Sequence, residues 1–106
     1  MNQQYRDIAS LDKLIHEPAR LAIMAVLYSC DSADFLYLQN ATGLTKGNLS
    51  SHLSRLEGAG YIEITKGFKG KFPHTACRLT EKGRKAFAEY WAKLQGLADR
   101  MERWAG

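Results

Sequence analysis

The apolar stretch that begins after Pro18 and is ended by Cys30-Asp31-Ser32 constrains this chain more than any other part of its sequence. Leu21, Ile23, Met24, Val26, Leu27 and Tyr28 leave almost no polar side. A helix that is apolar nearly all round belongs in the middle of a fold, with other elements wrapped about it. Pro18 suits the first turn of such a helix, where its missing N–H has no intrahelical partner to lose. The run falls far short of the roughly 20 residues a membrane span needs. Protein must therefore bury it, and 106 residues provide one domain to do so. With 45% hydrophobic and 25% charged residues, the chain can build that core, which excludes an intrinsically disordered segment. The segment Met1–Asp7 has no basic run followed by an apolar one, so no signal peptide is expected. Cys30 and Cys77 lie in no Cys-x-x-Cys box; free thiols and a cytoplasmic location are the expectation.

Periodicity supplies the elements around the central helix. Ile8, Leu11, Leu14 and Ile15 recur at helical spacing and predict a short helix over about Asp7 to His16. Asp34 to Thr42 reads as another, with Phe35, Leu38 and Ala41 inward and Gly43 at its C-terminal end. Thr45 is a good N-cap for a helix running to about Gly58. Tyr61–Thr65 alternates as a strand does, Gly67 to His74 reads as a loop, and Thr75 to Leu79 as a second strand pairing back on the first. Thr80 can cap a last helix to about Trp104, with Glu81 in its first turn where the helix dipole favours a negative charge. The expected fold class is mainly α with a small β-hairpin, as a single domain over 1–106.

Charge singles out one part of this order. Between Thr45 and Leu79 the bases Lys46, Arg55, Lys66, Lys69, Lys71 and Arg78 face only the acids Glu57 and Glu63, so this segment holds the whole net charge of +4. A localised excess of this kind suits a polyanion, although a solvated basic surface explains charge alone equally well. The helix from Thr45 sharpens the choice. Leu49, Leu53 and Leu56 share one side of a helical wheel, and Gly47, Asn48, Ser51, Ser54 and Arg55 the other. Small side chains permit close approach to a DNA major groove, and Asn, Ser and Arg can bond base edges and phosphates. Lys46 lies near the end that meets DNA in helix-turn-helix proteins. With the preceding helix and the turn Gly43–Leu44–Thr45, this is a helix-turn-helix over 34–58. The hairpin that follows, 61–79, carries Lys66, Lys69, Lys71 and His74 at its tip, within reach of phosphate or a minor groove. Phe68 and Phe72 are either folded back as small core plugs, the favoured reading, or exposed.

Taken together, Gly47-Asn48-Leu49-Ser50-Ser51-His52-Leu53-Ser54-Arg55-Leu56-Glu57, Gly60-Tyr61-Ile62, Gly67-Phe68-Lys69-Gly70-Lys71 and Leu79-Thr80-Glu81-Lys82-Gly83 resemble the compact winged-helix DNA-binding domains related to the MarR and ArsR transcriptional regulators. Leu11 to Leu21 fits that family too, and the resemblance covers about Leu11 to Tyr90. It implies a winged helix-turn-helix with an extra N-terminal helix and a long C-terminal dimerisation helix over 80–104. The recognition helix would fall on Thr45–Gly58 and the wing on Lys66–His74. The DNA-binding residues would be Thr45, Lys46, Gly47, Asn48, Ser50, Ser51, Ser54 and Arg55, with Lys66, Lys69, Lys71 and His74 on the wing. The implied protein is a sequence-specific transcriptional regulator acting on double-stranded DNA as a homodimer.

The chain departs from metal-sensing relatives in having no Cys in Asp34 to Thr42 and no His in its last helix. His16, His52 and His74 lie in three different elements, so no zinc set and no cofactor is expected. His52 flanks the core stripe and is expected to be packed there. In the last helix Phe87, Tyr90, Leu94, Leu97, Met101 and Trp104 step by three and four, with Trp91 and Ala98 beside them. So long an apolar seam either packs on the chain's own core or, the favoured reading, forms a dimer interface joined by Ile8, Leu11 and Ile15 of the first helix. No phosphate loop and no nucleophile–base pair supports an enzyme: Ser51 and His52 are neighbours on a helix and point about 100° apart. The rival reading is a winged-helix protein-interaction module without specific DNA binding, which would lose the basic wing and small-residue helix face seen here. A small-molecule effector is left open.

Overall fold

The computed structural model describes residues 3–105, and of Gln4, Trp104 and Ala105 the backbone alone. Five helices and three short strands follow in the order α1 Gln3–Ala9, α2 Pro18–Tyr28, β1 Ala33–Asp34, α3 Phe35–Thr42, α4 Lys46–Gly58, β2 Ile62–Lys69, β3 Phe72–Leu79 and α5 Glu81–Ala105. The strands form one antiparallel sheet in the order β1-β3-β2. No described helix is long and apolar enough to cross a membrane.

The apolar helix α2 lies where its composition requires. Ile23, Met24 and Leu27 are fully buried, packed with Leu38 of α3, the stripe Leu49, Leu53 and Leu56 of α4, and Ile62, Cys77 and Leu79 of the sheet. Glu17 caps α2 by accepting the Arg20 N–H at 2.8 Å, and Asp34 caps α3 through the Tyr37 N–H. Gly43 ends α3 at φ +72°, a left-handed conformation that costs glycine nothing. In α3, Leu38 is buried and Phe35 half-buried, but Ala41 is exposed, against expectation. The helix is so short that one buried turn anchors it.

The first helix is a second correction. It ends at Ala9 rather than continuing to His16. The Asp12 carboxylate accepts the N–H groups of Leu14 and Ile15, offering the backbone a turn in place of a helix. Leu11 and Ile15 are buried all the same, delivered from that turn. The other Asp12 oxygen accepts the Tyr61 hydroxyl, tying this segment to the end of α4. Burial, then this bond, pushes the Tyr61 phenol up to about 12.

The junction between α4 and α5 brings backbone into close contact. Gly60 takes φ +79°, and the Tyr61 and Gly60 N–H groups close onto Leu56 O and Glu57 O at 3.0 and 2.9 Å, completing the end of α4. Thr80 donates its hydroxyl to Gly60 O at 2.6 Å, accepts the Gly83 N–H at 3.0 Å, and gives its own N–H to Tyr61 O at 3.1 Å. A Cβ on Gly83 would stand 1.9 Å from Tyr61 O, so only glycine fits.

Candidate nucleic-acid interface

The helix proposed to read DNA is built as its sequence implies. Thr45 caps it by accepting the Asn48 N–H at 3.2 Å, and the three leucines bury one side. Lys46, Gly47, Asn48, Ser50, Ser51, Ser54 and Arg55 are all exposed. Underneath, His52 is half-buried, 3.1 Å from Nη1 of Arg20. Arg20 is itself buried and gives its Nε–H to Leu14 O. Arg20 can only donate, so Nδ1 of His52 is the acceptor in this contact. His52 thus fastens α4 to α2.

The hairpin differs from the expected strand–loop–strand. Regular pairing continues past Thr65 to the closing pair Lys69 and Phe72, leaving Gly70 and Lys71 as the turn. Gly70 has φ +65° and Lys71 does not share it, the pattern of a type II′ turn. β1 meets β3 only at Cys77 and Ala76, so the outer half of the hairpin is a bare two-stranded ribbon standing off the body. Phe68 and Phe72 therefore cannot fold back: each is 76% exposed, correcting the expectation of core plugs. The alternation that buries Ile62 simply carries Phe68 beyond the edge of the core.

Lys46, Ser50 and Ser54 of α4 and Lys66 of β2 come together around a cleft of about 560 Å³ between α4 and the hairpin, shared with Leu36, Ile64 and Thr75. Lys69 and Lys71 are exposed at the ribbon's tip. His74 does not join them there. It pairs with Gly67, with Nε2 3.6 Å from Asp34 Oδ2, so it braces the hairpin against the start of α3. The Tyr37 N–H and then His74 hold the Asp34 carboxyl below its ordinary value. Arg78 is neutralised by Glu63 at 3.0 Å. Lys46, Arg55, Lys66, Lys69 and Lys71 have no salt-bridge partner among the described residues and carry the excess charge. Leu36 and Tyr37, exposed on α3, went unnoticed in the sequence because an exposed apolar residue looks like a core one.

The seam expected on α5 is divided between the core and the surface. Phe87, Tyr90 and Leu97 are buried in the chain's own core, as are Leu11 and Ile15. Tyr90 reaches Nδ1 of His16 at 2.7 Å. Leu94 is half-buried, and Ile8, Trp91 and Met101 remain exposed. The Trp104 side chain lies outside the described residues. The seam is long because α1 and the turn after it pack against α5, with Arg100 pairing to Asp7 at 3.1 Å. Among the described residues no cluster could hold a metal ion.

Known proteins share this architecture. The sequence pattern of the winged helix DNA-binding domain matches residues 19–98. An uncharacterized protein of Methanocaldococcus jannaschii is 36% identical over 91 residues, 85% of this chain and 98% of that protein. The structure of a transcriptional regulator homologue from Pyrococcus horikoshii OT3 superposes with a TM-score of 0.85 at 27% identity, over 93% of this chain and 97% of that one. The repressor CouR, solved bound to a 23-mer DNA duplex, gives 0.73 at 21% identity over 99% of this chain and 77% of its own. At that identity the likeness shows the fold alone, a fold that MarR-family regulators share. The chain belongs to the winged helix DNA-binding domain family.

Proposed function

We propose that this chain is a sequence-specific transcriptional regulator that binds operator DNA as a homodimer. In this reading α4 enters the major groove and the hairpin, as the wing, lies on the backbone or in the minor groove. One observation carries it. The exposed side of α4 from Lys46 to Arg55 consists of small, hydrogen-bonding and basic residues without an acid, and stands beside a lysine-bearing ribbon. Asn48 suits adenine, and Arg55 suits guanine or a phosphate. The DNA-bound state of CouR, which has the same fold, supports this reading. The exposed residues Ile8, Trp91 and Met101 supply the surface for the second copy, and two copies reading half-sites about 34 Å apart give the specificity one helix lacks.

The test is binding to genomic fragments selected by the wild-type chain. Ser51→Glu sets a carboxylate against the groove and is expected to abolish binding with unchanged circular dichroism and melting temperature. Retained affinity refutes the placement of this face. Trp91→Glu with Met101→Glu, both at exposed sites, is expected to sediment as a monomer with collapsed operator affinity. A wild-type chain that is monomeric at micromolar concentration refutes the dimer.

A further inference from the structure

Two phenylalanines stand where the fold has no use for them. Phe68 and Phe72 are each 76% exposed. Phe72 belongs to the pair that closes the hairpin, across from Lys69, and Phe68 lies one pair back on the opposite face, across from Pro73. The third strand does not brace this end of the ribbon, because β1 pairs with β3 only as far out as Ala76. From Ile64 to Cys77 the sequence holds Lys66, Lys69 and Lys71 and not one acid. Aromatic rings set among cations, on a ribbon that carries no acid of its own, match a surface that is both polyanionic and apolar. A nucleic-acid duplex offers this, with phosphates for the ammonium groups and sugars and base steps for the rings.

We propose that the hairpin tip is an aromatic wedge for the minor groove. Phe72, the deeper ring, presses on a base step, Phe68 packs on the adjoining sugars, and the three lysines hold the flanking phosphates. This inference deepens the DNA-binding reading above and rests on it. The minor groove, about 6 Å wide, rejects a helix. Apolar side chains that enter it part a base step and bend the duplex. The wedge favours steps that unstack cheaply, pyrimidine–purine steps above all, and so selects sequence beyond the reach of α4. It also divides the labour at the tip. Lysine contacts weaken steeply with salt, whereas contacts between rings and bases do not depend on released counterions.

The test uses a duplex selected by the wild-type chain from a randomised library, carrying 2-aminopurine at the flanking steps to report unstacking. Affinity is measured by anisotropy across a range of salt. Phe68→Ala with Phe72→Ala is expected to lower affinity about tenfold per ring, about a hundredfold together. The slope of log K against log salt should stay unchanged and the 2-aminopurine signal should disappear. Lys69→Ala with Lys71→Ala should do the reverse, flattening the slope by about 0.9 for each phosphate no longer neutralised and keeping the signal. Both rings are exposed, so the variants should melt with the wild type. Unchanged affinity in the phenylalanine variant, or a flattened slope, overturns the wedge alone. If that variant loses binding to phosphatidylserine vesicles while keeping duplex affinity, the rings serve a lipid surface and the wedge is again overturned. Failure of the wild-type chain to select any duplex overturns the DNA-binding reading itself, and the wedge with it.

Discussion

Gly83 and Gly96 lie on one helix, and replacing each by alanine should move stability in opposite directions. Inside a helix, glycine is about 1 kcal/mol worse than alanine, so the substitution is ordinarily favourable. At Gly96 the nearest atom to a new Cβ is the Arg100 Nη1, 3.7 Å away at the end of a flexible side chain. Gly96→Ala should therefore gain most of that 1 kcal/mol. At Gly83 the new Cβ meets Tyr61 O at 1.9 Å, Tyr61 C at 2.7 Å and Tyr61 Cα at 2.9 Å. These are backbone atoms and can retreat only if the junction opens. Overpacking costs about 1–3 kcal/mol where side chains can yield, and a backbone contact falls at the upper end. Displacing Tyr61 O also weakens the bond it accepts from Thr80 N, a contribution of about 1 kcal/mol. Set against the propensity gain, Gly83→Ala should lose about 2–3 kcal/mol. At about 4–8 °C per kcal/mol for a domain of this size, the midpoint should fall by roughly 10–20 °C. Thermal denaturation followed by circular dichroism reads both variants. A Gly83→Ala protein that melts at or above the wild type would refute the argument that the α4–α5 junction depends on close backbone approach.

Two further outcomes follow from the titrating groups. The backbone N–H of Arg20 holds the Glu17 carboxyl below its ordinary 4.5, and that of Tyr37 holds Asp34 below 3.8. A lowered carboxyl stabilises the fold above its unfolded value and ceases to as pH falls through its folded one. Glu17→Gln should thus cost stability at neutral pH and lose progressively less below pH 4.5, its denaturation curve converging on the wild type in acid; a constant deficit at all pH would contradict the capping role. Burial pushes the Cys77 thiol up to about 11, whereas Cys30 is only half-buried. A thiol reagent at neutral pH should label Cys30 in the native chain and Cys77 only on unfolding, and fast labelling of both would show that the sheet opens at β3.

Much of this fold was legible because several local signals agreed. Pro18 and the apolar run that follows located α2 and fixed its start, while its end at Tyr28 falls just short of the expected stop at Cys30-Asp31-Ser32, and Thr45 with its leucine stripe defined α4. The pattern from Leu79 to Gly83 located a junction whose reason, the approach of Gly83 to Tyr61, only coordinates reveal. Signals failed where a side chain competed with the backbone or where length was too short to carry a period. Asp12 turned the expected helix after Ser10 into a turn, although the spacing of Leu11 and Ile15 still marked them as core. A strand of two residues, Ala33–Asp34, has no alternation to detect. Gly67, Gly70 and Pro73 suggested a loop, yet two-residue turns favour glycine and the ribbon bears the proline at its unbraced end. At the candidate site, residue types picked out the exposed side of α4 correctly. They could not separate His74, held by Asp34, from the lysines at the tip. Nor could helical spacing tell which seam residues of α5 the chain's own N-terminal segment would cover.

The ribbon beyond the Gly67–His74 pair supports nothing in the core, which makes its length a free dimension of the molecule. Each residue added to both strands extends its reach by about 3.4 Å without asking any buried side chain to move. Parity, however, is fixed. Side chains alternate, so lengthening both strands by two residues returns every group beyond the insertion to its face, while lengthening them by one exchanges the faces of Phe68 and Lys69. A lineage of such chains can therefore drift in how far the hairpin extends, in steps of two, while α2, α4 and the Gly83 junction stay as they are.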